Sequence, residues 1–229
     1  MSSVHPAQPA EVDLTHVPIS WPREFARVVR CASCTKAHSA KLLRDDAENV
    51  PQPGYVGANY EAHRVLLVGQ NPGTPKSLSA EDLPYTAALR TLRDNPSEGA
   101  YEQLRIQLES FIVRWPVHGN YFPLRECGLS LEDIAYTNVV RCRTQGDAAP
   151  SRALTDNCVV THFERWLDVL APRIVVFIGK WAADHAREPV ASRGIAFVYM
   201  NRQRSLSGAE RRANRDAVVA AVLTARASG

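Results

Sequence analysis

The chain has 229 residues, of which 45% are hydrophobic, and its formal net charge is +3. This composition excludes an intrinsically disordered chain, and the length suffices for one α/β domain with a sizeable core. No apolar run approaches the roughly 20 residues that a membrane span needs, and the proline-rich residues 1–20 do not read as a secretory signal. We therefore expect a soluble cytoplasmic monomer with no membrane partner.

Residues 1–20 are predicted to form an irregular arm, because prolines interrupt them three times. Residues 21–229 are predicted to form a single domain. It begins with a helical or helix–turn–helix segment from Pro22 to about Leu43 and a loop-rich stretch over 45–62. Short apolar runs then predict strands. The strands are expected over 64–69, 134–140, 174–178 and 195–200, and helices over about 84–95, 99–114, 152–170, 180–187 and 208–226.

This alternation of strands and helices predicts an α/β fold. Right-handed crossovers between consecutive strands give a three-layer α/β/α arrangement with a central four-stranded parallel sheet. Ligands of such folds bind beyond the carboxyl ends of the strands. We therefore expect the functional residues at those ends, in Gly69–Gly73, Asn138–Arg143, Gly179–Lys180 and Asn201–Arg204.

The five cysteines indicate metal binding or catalysis, because disulfides are rare in intracellular proteins. Cys31 and Cys34 form a C-x2-C pair, Cys142 and Cys158 lie sixteen positions apart, and Cys127 is left over. Four thiolates can bind zinc or a 4Fe–4S cluster, although zinc ribbons usually contain two tight pairs. The simpler alternative is that these cysteines are buried apolar residues.

Two polar motifs and one basic cluster are candidate functional features. Gly69-Gln-Asn-Pro-Gly73 directly follows the first strand, and Asn138 ends the second strand within Tyr-Thr-Asn-Val-Val-Arg-Cys-Arg. Each also has an ordinary structural explanation, as a turn and as a strand-terminal asparagine. The arginines near the C-terminus suit phosphate contacts or a solvated helix face. They are Arg202, Arg204, Arg211, Arg212 and Arg215.

The order of these motifs resembles the iron–sulfur-containing family of the uracil-DNA glycosylase superfamily. The order is the C-x2-C pair, the glycine-rich turn, the Thr-Asn-x-x-x-Cys-Arg strand end and the cysteine of the next helix. The resemblance covers roughly residues 25–225. It implies a monofunctional base-excision-repair enzyme that flips uracil out of DNA and hydrolyses its N-glycosidic bond. It also implies a structural 4Fe–4S cluster, with zinc as the alternative metal. The implied ligands are Cys31, Cys34, Cys142 and Cys158.

The resemblance also implies roles for the residues at the first two strand ends. The Gly69–Gly73 turn is the water-activating motif, in which Gln70 and Asn71 are the catalytic residues and Gly69, Pro72 and Gly73 contact the substrate. Its Gly-x-Asn-Pro-Gly form is similar to that of the mismatch-specific and single-strand-selective families. Asn138 is expected to read the edge of the base. Tyr85 is expected to stack on it, unless it is a core residue and Tyr121 or Phe122 stacks instead.

The last strand is where the sequence departs from that family, which usually has His-Pro-Ser there. Here Asn201-Arg-Gln-Arg-Ser-Leu-Ser follows the strand, and no histidine occurs after His185. Strand register assigns the position of that histidine to Asn201. The alternative takes Leu206 as the wedge residue that fills the place of the flipped base. Counting back from Leu206 then assigns the histidine position to Arg202. Arg204, Ser205, Arg211 and Arg212 are expected to contact DNA. The departure leaves two alternatives open: a glycosylase for another deaminated base such as hypoxanthine, and a non-catalytic nucleic-acid-binding relative.

Overall fold

The computed structural model describes residues 21–45, 48–73, 82–112, 122–201 and 206–227, so the expected arm at 1–20 lies outside the described residues. Among these residues, no helix is long and apolar enough to cross a membrane. The elements, in chain order, are α1 (Trp21–Val29), β1 (Leu42–Leu43), β2 (Tyr55–Val56), α2 (Tyr60–His63), β3 (Val65–Gly69), α3 (Asp82–Asp94), α4 (Glu98–Ile112), β4 (Ile134–Asn138), β5 (Arg143–Thr144), α5 (Arg152–Cys158), α6 (Glu164–Leu170), β6 (Ile174–Ile178), α7 (Lys180–Ala191), β7 (Ala196–Met200) and α8 (Gly208–Ala227).

The central sheet has the strand order β2-β4-β3-β6-β7. The four predicted strands are β3, β4, β6 and β7, and they pair in parallel as expected. A fifth strand, β2, pairs antiparallel with β4 at the outer edge of the sheet. The prediction of four strands was one short, because a two-residue strand in a loop-rich stretch has no periodicity to reveal it.

Helices cover both faces of the sheet, which confirms the α/β architecture. Leu66 and Val68 of β3 belong to one core cluster, which includes buried residues of α1, α3, α4, α6 and α7. Val65 and Leu67 point to the opposite face, where Val218 of α8 closes a second cluster. Successive residues of a strand point to opposite faces, so a continuous apolar run is what a sheet covered on both sides requires.

The largest error in the predicted elements concerns the segment after Pro22. The helix ends at Val29, and residues 30–41 form irregular chain and short turns instead of a second helix. Leu42 and Leu43 then form β1, which pairs with β5. Helical spacing of apolar residues in this segment was therefore misleading, and tertiary pairing decided its conformation. As a result, Cys31 and Cys34 lie in an irregular segment after α1.

The other helices match the predictions closely. The predicted helix over 152–170 consists of α5 and α6, joined by a π-helical turn over Val159–Phe163. Helix α7 continues to Ala191, four residues beyond the predicted end, with Pro189 inside it. Strand β4 ends at Asn138, two residues earlier than predicted. The next two residues still donate backbone hydrogen bonds to Gly69, the last residue of β3, and to Gln70, which explains the longer apolar run.

Candidate active site

The ends of β3 and β4 lie side by side. Gly69 pairs with Asn138 as the last rung of the two strands. Beyond it, Val139 N–H donates to the Gly69 carbonyl oxygen at 2.9 Å, and Val140 N–H donates to that of Gln70 at 3.0 Å. The pairing therefore continues past both strands, and it brings the Gly69–Gly73 turn next to the segment that follows Asn138.

Asn138 is buried and its amide is held by Tyr136. The Tyr136 hydroxyl donates to Asn138 Oδ1 at 2.8 Å, and Asn138 is 5% exposed. A Cβ atom on Gly69 would lie 2.5 Å from Asn138 Oδ1 and 2.9 Å from the Tyr136 hydroxyl. Only glycine at position 69 leaves room for this hydrogen-bonded pair. The first glycine of the turn is thus required by the asparagine of the neighbouring strand.

Asn71 is half-buried, and its amide nitrogen is held on two sides. Asn71 Nδ2 lies 3.0 Å from Thr144 Oγ1 and 3.3 Å from the Pro72 carbonyl oxygen. Among the described residues, none donates a hydrogen bond to Asn71 Oδ1, which is an acceptor. The turn therefore presents a fixed amide whose oxygen is available to a donor such as water.

The other residues of the turn differ in their environments. Pro72 is buried, Gln70 is half-buried and Gly73 is exposed. A Cβ atom on Gly73 would meet none of the described residues within 4 Å. Steric space among these residues therefore does not explain the second glycine, in contrast to Gly69.

Tyr85, the expected stacking residue, lies in the core. Its side chain is 4% exposed, and its hydroxyl lies 3.2 Å from Gln52 Oε1. Burial raises the pKa of this phenol far above its ordinary value. This environment is that of a core tyrosine near the start of a helix, which was the alternative interpretation of Tyr85. Stacking of Tyr85 on a base stays a prediction. Of the other two candidates, Phe122 is buried and Tyr121 lies outside the described residues.

The end of β7 approaches the same edge of the sheet. Gly179 N–H donates to the Met200 carbonyl oxygen at 2.7 Å, and Asn201 follows directly. Asn201 N–H donates to Asn214 Oδ1 of α8 at 3.0 Å, which fixes the backbone at this point. Leu206 is half-buried, whereas Arg202, Arg204 and Ser205 lie outside the described residues.

Helix α8 starts directly after this segment with a capped first turn. Ser207 N–H donates to Glu210 Oε2 at 2.8 Å, and Glu210 N–H donates to Ser207 Oγ at 3.3 Å. Hydrogen bonds from the Ser207 backbone N–H and side chain to its carboxylate lower the pKa of Glu210. Arg211 and Arg212 on this turn are exposed, and neither forms an ion pair with a described residue. A helix N-terminus with unpaired arginines is suited to anions such as phosphates.

Three of the predicted metal ligands lie in one buried cluster. Cys34, Cys142 and Cys158 pack together with Leu42, Val140 and Leu154, and the half-buried Cys31 is close enough to Cys142 to affect its pKa. A hydrogen bond from the Cys158 thiol, followed by one from Asn157 Nδ2 at 2.9 Å, lowers the pKa of Cys34 to about 6. Among the described residues, no group of three or more histidine, cysteine or acidic side chains is spaced to hold a metal ion as it stands.

Cys127, the cysteine left over in the sequence, lies apart from the other four. It is fully buried in the cluster under α8, on the other face of the sheet. Burial raises the pKa of its thiol to about 11, so it is protonated at neutral pH. Its carbonyl oxygen accepts a hydrogen bond from Arg226.

Sequence reasoning missed three residues that hold the candidate groups: Tyr136, Thr144 and Asn157. Tyr136 precedes Asn138 by two residues, so strand periodicity alone places both side chains on one face. Asn157 stands next to Cys158 in the sequence, yet its contact is with Cys34. No sequence signal connects Thr144 with Asn71, because their contact depends on how the β5 segment returns to the turn.

Comparison with known protein families gave a match to the uracil DNA glycosylase superfamily over residues 57–222. A search of curated proteins gave no match. The matched range covers most of the chain and contains both polar strand ends, the end of β7 and most of α8. The architecture, a parallel-dominated sheet between helices, is consistent with the fold of that superfamily. The chain therefore belongs to the uracil-DNA glycosylase superfamily.

Proposed function

We propose that the protein is a monofunctional DNA glycosylase that hydrolyses the N-glycosidic bond of uracil flipped out of DNA. Membership of the superfamily points to DNA glycosylase activity. The observation that carries the finer assignment is the pair of asparagine amides at the ends of β3 and β4, each fixed by hydrogen bonds before any substrate arrives. Preorganised polar groups of this kind stabilise a transition state without reorganising during the reaction.

Asn138 is the group that reads the base. Its Oδ1 accepts from Tyr136, so Nδ2 is the end of the amide that remains as a donor, while Oδ1 has a second lone pair. Uracil presents an acceptor at O4 beside a donor at N3–H, which complements this amide. Cytosine reverses both groups, and turning the amide to suit cytosine would break the bond from Tyr136. Hypoxanthine has the same order of groups as uracil, so this contact does not separate the two.

Asn71 positions the water. An asparagine cannot take a proton, but its Oδ1 can accept a hydrogen bond from water and hold it against C1′. The C1′–N1 bond breaks with its electron pair going to the base, which leaves as an anion. Water then bonds to the oxocarbenium-like C1′ and releases its proton to solvent. Asn201 or Arg202 takes the place of the usual histidine as the donor to the anion.

Contacts outside the pocket supply affinity for DNA. Leu206 fills the space that the flipped base leaves, and Arg204, Ser205, Arg211 and Arg212 contact the backbone. Arg211 and Arg212 are exposed and form no ion pair with a described residue, which supports this assignment. Lys180, the lysine at the end of β6, is paired with Asp184 at 2.6 Å on the surface of α7. This pairing favours hydrolysis over a lyase reaction that needs a free amine.

Cys31, Cys34, Cys142 and Cys158 are proposed to hold a 4Fe–4S cluster, with zinc as the alternative. The burial of three of these thiols together supports this ligand set. The cluster would act structurally, since it would join the segment after α1 to the segment between β4 and α5. Purified protein is then brown, whereas colourless protein with one zinc per chain would overturn the iron assignment.

The test of the function is base release from matched oligonucleotides that contain uracil, hypoxanthine or cytosine at one position. We expect alkali-dependent strand cleavage with uracil and none with cytosine, and intact strands before alkali treatment. Cleavage only at hypoxanthine would replace the proposed substrate. DNA binding without base release on any substrate would show a non-catalytic relative.

A further inference from the structure

Thr144 is a buried residue that the roles described above do not use. Its side chain has no solvent exposure, and it ends β5, the short strand that pairs with β1. Its hydroxyl oxygen lies 2.6 Å from the Ala148 carbonyl oxygen and 3.0 Å from Asn71 Nδ2. It is thus the one side chain in the described structure that holds the Asn71 amide.

The hydrogen-bonding capacity of these atoms determines which end of the Asn71 amide faces Thr144. A hydroxyl has one proton, and a carbonyl oxygen can only accept. The proton of Thr144 therefore goes to Ala148, and Thr144 Oγ1 can only accept from Asn71. The Pro72 carbonyl oxygen, at 3.3 Å, is also only an acceptor. With the amide reversed, Oδ1 would face two acceptors, which costs both hydrogen bonds.

We propose that Thr144 is a positioning residue that orients the Asn71 amide so that its oxygen is presented to the attacking water. This inference rests on the proposed function of Asn71, and it names a residue of this chain that makes that function possible. Thr144 acts through Asn71 and does not itself touch the substrate.

The position of Thr144 is set from the cysteine-containing region. Leu42 pairs with Thr144 across β1 and β5, and Gln145 N–H donates to the Lys41 carbonyl oxygen at 2.8 Å. Leu42 in turn belongs to the same buried cluster as Cys34, Cys142 and Cys158. The segment that carries the predicted metal ligands and the turn that carries Asn71 are therefore joined by one continuous set of contacts, with Thr144 at its end.

The test compares Thr144→Val, which keeps the shape and removes the hydroxyl, with Thr144→Ser, which keeps the hydroxyl. The single-turnover rate of uracil release should fall about 10-fold in T144V, the size of one hydrogen bond, and T144S should restore most of it. Thr155→Val is a matched control, because Thr155 is equally buried and its hydroxyl bonds the Ser151 carbonyl oxygen of its own helix. T155V should leave the rate unchanged.

A double-mutant cycle separates positioning from general stability. In an Asn71→Ala background, T144V should lower the rate no further, because the residue it orients is gone. An equal loss in both backgrounds, or a wild-type rate in T144V, would overturn the proposal. Melting temperatures of all variants show whether a reduced rate reflects unfolding, and T144S remains informative if T144V does not fold.

A second readout does not depend on activity. The side-chain amide resonances of Asn71, assigned by their loss in N71A, should shift in T144V and stay close to their wild-type positions in T144S. A shift in a protein that releases no base would uphold the orientation of the amide and reject the proposed function. Resonances that do not move in T144V would reject the orientation itself.

Discussion

The polar strand ends at the candidate site differ in how firmly their asparagine side chains are held. At the ends of β3 and β4, the Asn138 amide is fixed by Tyr136 and the Asn71 amide by Thr144 and Pro72. At the end of β7, Asn214 holds the backbone of Asn201, and no described residue bonds its side-chain amide. The amides at this first, organised end are thus held in place before substrate binds. This contrast predicts that residues at the first end control rate, and that those near the second end also control affinity for DNA.

The largest effect is expected from Asn138→Ala at the organised end. The pocket would lose both polar contacts with the base edge, so the single-turnover rate on uracil should fall by about 100- to 1000-fold. Asn95→Ala, at an exposed position after α3, serves as the control and should retain the wild-type rate. A reduction of less than about 10-fold in N138A would mean that another group reads the base.

Asn71→Asp tests the orientation of the amide by replacing its donor nitrogen with a second oxygen. A carboxylate can take a proton from the attacking water, so an acid in this turn would be expected to improve catalysis. Here a carboxylate would face the Thr144 oxygen and the Pro72 carbonyl oxygen, which repel it and raise its pKa. The protonated form can still donate to Thr144 and mimic asparagine, so the rate of N71D should fall as pH rises through that pKa.

We expect N71D to be about 100-fold slower than wild type on the alkaline side of this transition, while the wild-type rate stays flat. The measurement is a pH profile of single-turnover rates for both proteins. In the double variant with T144V, where the repelling oxygen is absent, the transition should move to lower pH. A variant N71D that is faster than wild type at every pH would contradict the orientation of the amide.

The end of β7 is tested by comparing Asn201→Ala with Arg202→Ala. Removing the residue that replaces the family's histidine should lower the single-turnover rate about 10- to 100-fold, because its neighbour remains to share the stabilisation of the anion. The other variant should change mainly the affinity for DNA. If neither changes the rate, the leaving base is stabilised from elsewhere, and both assignments at this end are wrong.

The sequence predicted the organised end better than the other, for a physical reason. Strands β3 and β6 are continuous apolar runs that end at glycines, and this pattern has few interpretations in a covered parallel sheet. The rule that parallel strands present their carboxyl ends at one edge then brings Asn71 and Asn138 together without any knowledge of contacts. Gly69 shows the limit: its presence was expected, but the reason, the close approach of Asn138, appears only in the structure.

Other features depend on contacts that are remote in the sequence, and periodicity does not encode these. The predicted helix after Val29 is absent because Leu42 pairs with Thr144, far along the chain. The Thr144–Asn71 and Asn157–Cys34 hydrogen bonds have the same character. The contact between Tyr136 and Asn138 could have been predicted, because the two residues share a strand face. Local patterns thus predicted which residues gather at the site, while the orientation of their amides required the fold.

The smallest effect is expected at the start of α8, where two arginines without ion pairs to described residues are compared with one that has them. Arg211 and Arg212 are exposed and form no ion pair with a described residue, whereas Arg215 lies 3.8 Å from Glu126 and 3.5 Å from Asp216. Removing one arginine that binds a phosphate should lower the slope of log affinity against log salt by about 0.9 on duplex DNA. R211A and R212A should therefore each reduce the slope by about that amount, and R215A should leave it nearly unchanged because its carboxylate partners already compete for its charge.

Binding measured by fluorescence anisotropy on uracil-free duplex at several salt concentrations supplies the slopes. If all three variants share the wild-type slope, the first turn of α8 is a solvated face, and the affinity for DNA comes from elsewhere on the molecule.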